Sequence, residues 1–503
     1  MALIHTVAAS KAGRLATVPE ESADGSAAGY PLCGLYRDSI GRVAVSRAQI
    51  RSTLFSRSQS GRCYSSDSGA SNSCPSSHSG ISSVASLSGS AAELGNHELK
   101  MIARRMVCDG YTQCMVQAFN AASPLGINGG PYRALEIWFF ELDVDCVLQI
   151  REKYGSQWQL RLQDRSALSL QDLVERWIRG LTVIVHSMIE LLSTNCEMKA
   201  AERFGEASIS KMLIFVDAIV PALKVQNLRA VLDMYICVCR ALHNIEKSNM
   251  CLESDEEGII FSLFRLVNKL SEAIPKTMEK VRTLIEDDDS WAIEIPRRGG
   301  EVHMNTRLIA DYIVSLGEAE AGSTFLSINS SGRLPHGRDD TIRYLKDLLL
   351  RKSEICSDPS LRYLFLLNNS HFVAELTKPC ESGNDWKLTT ECQQFMDSYV
   401  YVSWAPVLSC IPKSHYPGPL GRWFNTTSLA KFQSVFHKVY KAQRFWKVPD
   451  PRLRSLLRKT ITKKVILGYR YYLKEHPELA KQVNGGSSSP DDLEEMLGEL
   501  FER

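Results

Sequence analysis

A helical spacing of apolar residues, sustained from about Glu98 to Phe501, constrains the fold of this chain more than any other feature. Apolar residues recur three, four and seven positions apart, which is the spacing of one face of an α-helix. A clear run consists of Leu173, Trp177, Leu181, Val185, Met188 and Leu192. Amphipathic helices bury one face each and must pack against one another. The sequence therefore predicts an all-α protein built from helical bundles or a helical solenoid.

Two punctuated stretches divide this helical region. Residues 286–300 combine several acids with Pro296, Gly299 and Gly300, and residues 413–421 hold two prolines and two glycines. Such stretches are typical of connections between helical blocks. We therefore predict N-terminal bundles at residues 96–295, a middle bundle at 296–412 and a C-terminal bundle at 413–503.

Two local patterns bear on the helix assignment. The alternating segment at residues 399–402 (YVYV) is short and lies between helical stretches, so we do not assign it as a strand. Pro221 is expected to kink or end a helix, because proline cannot donate the backbone hydrogen bond.

Residues 1–95 differ from the rest of the chain in composition. Of the 39 residues from 52 to 90, 17 are serine, and aromatic residues are few. Such a segment cannot bury enough apolar surface to offset the entropy lost on ordering. We therefore predict a disordered, Ser-rich tail at residues 1–95.

Composition excludes several classes of protein. Apolar residues make up 44% and charged residues 23%, as in soluble globular chains and unlike collagen. No apolar run reaches the length of about 18 residues that crosses a bilayer. The fourteen cysteines include no CxxC pair and no zinc spacing, which favours the reducing cytoplasm.

No catalytic, cofactor or metal site is predicted. The chain lacks a nucleotide-binding loop, an HExxH zinc motif, a nucleophile elbow and a dinucleotide fingerprint. The eleven histidines include no pair at metal spacing. We interpret His303 and His371 as helix caps or buried, hydrogen-bonded histidines. We therefore expect a protein that is not an enzyme and carries no cofactor.

Charge is concentrated towards the C-terminus. Residues 431–481 hold fourteen Lys or Arg against three acids, and residues 483–503 hold six acids against one arginine. At about 100° per residue, one arc of a helix over residues 431–446 is apolar and the opposite arc is basic. The apolar arc contains Phe432, Val435, Phe436, Val439, Ala442 and Trp446. A second basic helix is predicted at residues 452–464, where Lys464 falls near the apolar stripe and is expected to snorkel or to cap the helix.

These basic helices are candidates for contact with anionic lipid headgroups, where each Lys or Arg contributes about 1 kcal/mol. The candidate residues are Lys431, Lys438, Lys441, Arg444, Arg454, Arg458, Lys459 and Lys463. An ordinary solvent-exposed charged face is the alternative for each helix taken alone. The acidic last helix has acids suited to its N-terminus, and it could also fold against the basic helices and mask them.

Nucleic acid is the competing ligand for a basic surface. Five aromatic residues interleave with the cations, as a base-stacking platform requires: Phe445, Trp446, Tyr469, Tyr471 and Tyr472. No recognition motif accompanies them, and Trp446 falls on the apolar arc. We therefore expect no nucleic acid partner.

Several short segments occur in an order that is more specific than any one of them. They are residues 100–106 (KMIARRM) with Gly110, Tyr111 and Cys114, then 231–235 (VLDMY), 302–307 (VHMNTR), 363–371 (YLFLLNNSH), 446–450 (WKVPD), Leu453 with Arg454, Tyr469 with Arg470, 490–493 (PDDL), and Leu500 with Phe501. In this order they resemble the Exo70 subunit family of the exocyst. The third and fourth segments are similar to that family's VHPLTR and LFLMNN-x-H elements.

The resemblance implies an elongated rod of stacked antiparallel helical bundles. It also implies a cytoplasmic protein, peripheral at the plasma membrane, that tethers secretory vesicles during exocytosis. The implied partners are other exocyst subunits and plasma-membrane phosphoinositides such as phosphatidylinositol 4,5-bisphosphate, with small GTPases or immune regulators as further candidates. The many plant members of the family favour a divergent plant paralogue.

The chain also departs from the family pattern. The family's first helices, which carry coiled-coil contacts to other subunits, are expected to be absent and replaced by the Ser-rich tail. Met304 and Asn305 stand where Pro and Leu are usual, and Asn484 and Ser487 stand where a KYIKY element has lysines. These departures leave an alternative function open, an interaction or regulatory module, for example in plant immunity, without full exocyst assembly.

Overall fold

The protein was analysed as a computed structural model, which describes residues 34–45, 81–121, 130–148, 167–193, 198–222, 225–248, 258–324, 337–378, 386–411, 419–483 and 488–502. These residues form helices and connections and include no strand. The all-α prediction is therefore confirmed. The α-helices are α1 Arg37–Arg42, α2 Ile81–Cys108, α3 Tyr111–Ala121, α4 Gly130–Glu141, α5 Ala167–Ser193, α6 Met198–Ile219, α7 Leu228–Lys247, α8 Ile259–Glu286, α9 Ser290–Arg297, α10 Met304–Thr324, α11 Gly337–Ser353, α12 Pro359–Thr377, α13 Thr390–Leu408, α14 Pro419–Gln443, α15 Pro451–Glu475, α16 Pro477–Val483 and α17 Pro490–Gly498.

The apolar spacing of the sequence corresponds to burial in the structure. All six residues of the run from Leu173 to Leu192 are buried in α5. In α8 the buried face includes Leu263, Leu266 and Leu270. Because burying one such side chain contributes about 1.5–3 kcal/mol, contacts between apolar faces stabilise these helices more than intrinsic propensity does.

The two local predictions hold. Helix α6 ends at Ile219, and Pro221 lies in the 3-10 turn Val220–Ala222 that follows. Residues 399–402 lie inside α13, where Tyr399 is buried and Tyr401 is 73% exposed. The alternation of Tyr and Val at these positions therefore does not indicate a strand, since the residues lie where the buried face of a helix meets its exposed face.

Helices that are close in sequence are neighbours in space. Helix α2 packs on α5, α7 on α8 and α10, α12 on α13, and α15 on α13 and α17. Short connections between packed helices make them antiparallel neighbours, so the helices form a stack of bundles. The buried side chains form one continuous cluster from Tyr36 to Phe501. This cluster crosses both predicted domain boundaries, and the division at residues 295 and 412 stays a prediction.

Residues 34–45 depart from the prediction of a disordered tail. They include α1 and bury Ile40 against the helices that follow. Residues 81–95 also depart from it, since they form the first half of α2. For residues 34–45 the reason is that a few apolar residues suffice when the surface of other helices completes their burial. The remainder of the predicted tail lies outside the described residues.

Several helices are long enough to cross a bilayer. Helices α14 and α15 have 25 residues each, enough to cross a bilayer in length, but both carry several lysines. No helix in the described ranges combines the length and the apolar composition that a membrane span requires.

Candidate functional site

Helix α14 carries the first group of candidate cations on its exposed face. Phe432 and Phe436 are fully buried, and the Phe432 ring stacks on Tyr469 of α15 with 4.5 Å between centroids. Lys431 and Lys438, seven positions apart on one face, are exposed, as is Lys441. None of these lysines forms an ion pair with another described residue. The predicted basic face of this helix is therefore available to solvent.

The end of α14 differs in detail from the predicted apolar arc. The helix ends at Gln443, which is buried, and its side-chain carbonyl accepts a hydrogen bond from the Tyr399 hydroxyl at 2.5 Å. Ala442 is exposed, and Trp446 is buried in the connection after the helix. Arg444, also in this connection, is exposed and lies 4.4 Å from the centroid of the Phe445 ring.

Helix α15 carries the second group of cations. Asp450 caps its N-terminus by accepting a hydrogen bond from the Leu453 amide at 2.7 Å, and Pro451 occupies the first helical position. Leu457 and Ile461 are fully buried. Lys459 and Lys463 are exposed one turn apart, and Lys464 is exposed as well.

Arg454 and Arg458 form hydrogen bonds within the protein, and their contact with lipid stays a prediction. The Arg454 Nε donates to the Val448 carbonyl at 2.9 Å. The Arg458 Nε donates to the Leu500 carbonyl at 2.7 Å, and its guanidinium pairs with Glu502 at 3.1 Å. Both arginines are half-buried. Arg454 joins the turn before α15 to this helix, and Arg458 joins the C-terminal residues to it.

The acidic last helix packs on α15 and neutralises an arginine there. Its N-terminus has a reciprocal capping box between Ser489 and Asp492. Arg470 of α15 pairs with Asp491 at 2.7 Å and with Glu494 at 2.9 Å. The acids of α17 thus engage Arg470, and the exposed lysines of α14 and α15 have no ion pair with them. Asn484 and Ser487, the positions of the missing lysines, lie outside the described residues.

Burial separates the aromatic residues that a base-stacking platform would need. Trp446, Tyr469 and Tyr472 are buried, whereas Phe445 and Tyr471 are exposed. A buried ring cannot stack on a base. The arrangement therefore does not provide the interleaved platform that the sequence raised as an alternative.

A buried polar junction fixes the turn that leads into α15. The side-chain amide of Asn368, on α12, donates to the carbonyls of Gly300 and Lys447 at 2.8 Å each. The Lys447 amide in turn donates to the Gly299 carbonyl at 3.0 Å. Three chain segments meet here, and this junction sets where α15 begins. The sequence signals for it are the paired Asn368 and Asn369 after the apolar residues 364–367 and the glycine pair at residues 299 and 300.

The two glycines of the junction are required by backbone geometry. Gly299 and Gly300 have φ angles of +59° and +76°, in the left-handed region that favours glycine. A Cβ on Gly299 would also lie 2.9 Å from the Trp446 Cα. The glycine pair allows the loop after α9 to contact the connection before α15 directly.

His303 is a buried structural histidine, as predicted. Its ring stacks on Trp291 with 3.7 Å between centroids, and its Nδ1 accepts a hydrogen bond from the Asn305 amide at 3.2 Å. The His303 amide donates to the Asn369 side chain at 3.0 Å. Burial lowers the pKa of His303 to about 4, so the ring is neutral near pH 7.

His371 forms a buried contact with the N-cap of α15. Its Nε2 lies 3.6 Å from an Asp450 carboxylate oxygen, and the histidine side chain is 4% exposed. Burial alone would lower the pKa of His371, but interactions with Asp450 and Cys392 outweigh it and raise the pKa to about 9. The same contact lowers the pKa of Asp450 despite its partial burial. The charged pair joins α12 to the start of α15.

The raised pKa of His371 predicts a pH dependence of stability. The group binds its proton more tightly in the folded state, so its contribution is complete below pH 6.5 and is lost as pH rises through about 9. We expect the stability advantage of the wild-type chain over His371→Gln to shrink by about 2 kcal/mol between pH 6.5 and 9. Denaturant unfolding of both chains at the two pH values measures this, and an advantage that stays constant would rule it out.

A small cavity lies between α2, α5, α7 and α10. Its volume is about 50 Å³, and apolar and polar side chains line it, the latter including His186, Arg240 and the carboxylates Asp233 and Glu318. Burial lowers the pKa of His186 to about 4. Among the described residues, no group of three or more His, Cys, Asp or Glu is placed to hold a metal ion.

Together these features define a class of protein: a helical scaffold in which buried polar groups join helices and lysines are exposed to solvent. A family model that describes the C-terminal region of the Exo70 exocyst complex subunit matches residues 175–499. This is more than half of the chain, and the chain belongs to the Exo70 family. The predicted family membership is confirmed.

Plant proteins are among its relatives. "Exocyst complex component EXO70A1" of Arabidopsis thaliana is 26% identical over 329 residues, which cover 59% of this chain and 50% of that protein. For "Exocyst complex component EXO70B2" of the same organism, the identity is 25% over 391 residues, 70% of this chain and 61% of that protein. The chain thus spans about half of the first relative's length and less than two thirds of the second's.

Two solved structures of the Saccharomyces cerevisiae Exo70 protein are similar over most of the chain. They cover 85% and 84% of this chain and 90% of each yeast chain, at 11% and 12% identity. The TM-scores are 0.29 and 0.32.

Proposed function

We propose that this chain acts as an Exo70-type exocyst subunit that tethers secretory vesicles to the plasma membrane by binding other exocyst subunits and anionic phosphoinositides. The observation that carries the membrane part is the set of exposed lysines on α14 and α15 without ion pairs among the described residues. Five of these lysines are among the candidates predicted from the sequence: Lys431, Lys438, Lys441, Lys459 and Lys463. Arg444 is the sixth exposed residue among those candidates.

The strength of such a surface follows from its charge. At about 1 kcal/mol for each cation near an anionic membrane, six cations provide about 6 kcal/mol of binding free energy. The field reaches about 8 Å at physiological salt, so binding needs close approach to the headgroups. Lysine binds phosphate as a point charge, which suits a headgroup with several phosphates and no fixed orientation.

Vesicle co-sedimentation of the full chain tests the membrane part. We expect the chain to sediment with vesicles that contain phosphatidylinositol 4,5-bisphosphate and to stay in solution with neutral phosphatidylcholine vesicles. Binding should weaken strongly in about 1 M salt, where the screening length falls to about 3 Å. Equal binding to both vesicles, or binding that salt leaves unchanged, would be evidence against it.

The assembly part of the proposal is supported by membership of the Exo70 family. We propose other exocyst subunits as the principal partners and a cytoplasmic location, peripheral at the plasma membrane. Small GTPases and immune regulators are further proposed partners. The vesicle-tethering role combines both parts, since a tether must hold its complex and the membrane at the same time.

A second function is favoured by one observation in the sequence. Asn484 and Ser487 stand where the family's terminal element has lysines. A chain with fewer membrane-binding cations could instead serve as an interaction or regulatory module, for example in plant immunity, without full exocyst assembly. Purification of the tagged chain from plant cells distinguishes the two, because recovery of other exocyst subunits in comparable amounts supports only the first.

A further inference from the structure

Residues 34–45 pack on a groove formed by helices α2 to α5. The groove residues that contact them include Gly95, Tyr111, Glu141 and Arg179. Residues 46–80 separate this segment from α2 in sequence, and its only helix, α1, has 6 residues. Ile40 and Val43 are 0% and 2% exposed. The ring of Tyr36 meets Tyr111 of α3 edge-on, with 5.7 Å between centroids. The segment is therefore held by contacts with the helical body.

The groove holds the start of the segment through buried and half-buried carboxylates. Glu141, at the end of α4, is 0% exposed, and its carboxylate accepts hydrogen bonds from the amides of Gly34 and Tyr36. Arg37 pairs with Asp143 at 2.7 Å and with Asp145 at 3.0 Å. The segment thus supplies hydrogen-bond donors to a carboxylate that is buried in the docked state.

The groove also contacts the main chain at the other end of the segment. Arg179 of α5 donates to the Val43 carbonyl at 3.2 Å. A Cβ on Gly95 of α2 would lie 2.1 Å from the Ala44 carbonyl oxygen. Glycine weakens a helix interior relative to alanine, so its presence here fits a need for close approach by another chain segment.

We propose that this groove is a peptide-docking site, on which residues 34–45 compete with a segment of a partner protein. The partner segment has the same chemistry: an aromatic residue followed by arginine, then an isoleucine in a short helix and a valine directly after that helix, at the spacing of Tyr36, Arg37, Ile40 and Val43. A tethered segment acts at an effective concentration of about millimolar. The chain's own segment therefore occupies the site until it is released. Of the groove residues named above, Arg179 lies within the residues matched by the Exo70 family model, 175–499, and the others precede them.

A synthetic peptide of residues 34–45 provides the probe. We expect a fluorescent copy to bind the full chain carrying Tyr36→Ala and Ile40→Asp at least tenfold more tightly than it binds the wild-type chain. Adding Glu141→Gln should weaken that binding at least tenfold, because an amide offers one acceptor where the carboxylate offers two. A peptide carrying the same Tyr and Ile changes should not bind.

A second variant, in which residues 34–45 are also expected to leave the groove, controls for unfolding of the first. Arg37→Glu places a negative charge next to Asp143 and Asp145, with which the Arg37 side chain forms ion pairs. We expect this substitution to weaken docking of the segment, and it leaves the apolar side chains Tyr36, Ile40 and Val43 unchanged. Failure of the peptide to bind either released chain, with circular dichroism showing a folded protein, would overturn the proposal. Concentration-dependent dimerisation of the wild-type chain would assign the groove to a second copy and would also overturn it.

Discussion

Reversing the charge of Lys431, Lys438 and Lys463 should abolish binding to phosphoinositide vesicles. These lysines are exposed and have no ion pair among the described residues, so the fold does not depend on their charge. Each contributes about 1 kcal/mol near an anionic membrane, and glutamate adds repulsion of similar size. The expected loss is therefore about 3–6 kcal/mol, a hundredfold or more in affinity. Co-sedimentation over a range of lipid concentrations measures it.

A matched control uses lysines elsewhere on the surface. Lys199, Lys276 and Lys280 are exposed on α6 and α8, and their conversion to glutamate changes the net charge by the same amount. We expect this control to retain at least a third of the wild-type affinity, since only the local field near the membrane matters at physiological salt. Equal losses in both variants would show that net charge, and not this surface, governs binding.

Replacing Asn368 by leucine should detach the turn before α15. The substitution removes the donor for the carbonyls of Gly300 and Lys447, and each buried acceptor left without a partner costs about 1–3 kcal/mol. The Asn368 side-chain carbonyl has no partner among the described residues, so its removal regains part of this cost. We expect a net loss of about 2–4 kcal/mol in the free energy of unfolding.

Hydrogen exchange locates this effect. The Lys447 amide, bonded to the Gly299 carbonyl, should exchange faster in Asn368→Leu than in the wild-type chain. The control Gln393→Leu changes an exposed amide on α13 and should alter stability by no more than about 0.5 kcal/mol. A Lys447 amide that remains fully protected would show that Asn368 does not hold the junction.

Periodicity predicted most of the helices because their burial depends on local spacing. The predicted apolar faces are buried in the structure, as shown by the six-residue run from Leu173 to Leu192 and by Phe432 and Phe436. The exposed lysines were predictable for the same reason, since they alternate with those apolar residues. Gln443 could not be predicted as a buried residue, because its partner, the Tyr399 hydroxyl, is distant in sequence.

The roles of the arginines depend on contacts that no local pattern encodes. Arg458 reaches the Leu500 carbonyl and Arg454 reaches the Val448 carbonyl, and backbone acceptors carry no sequence signal. From charge alone, both arginines were grouped with the lysines as candidates for lipid binding. In the structure they form hydrogen bonds with neighbouring segments of the chain. The docking of residues 34–45 was missed similarly, because Glu141 and Asp143 are remote in sequence.

Flotation of exocyst subunits on vesicles tests the proposed tethering role most directly. Purified subunits lacking their own Exo70 are mixed with this chain and with vesicles containing phosphatidylinositol 4,5-bisphosphate. We expect the other subunits to float with the vesicles only when the wild-type chain is present, and to remain at the bottom with the Lys431, Lys438 and Lys463 variant. If the chain floats while the other subunits stay behind, it binds membranes without tethering the complex, and the proposed function is wrong.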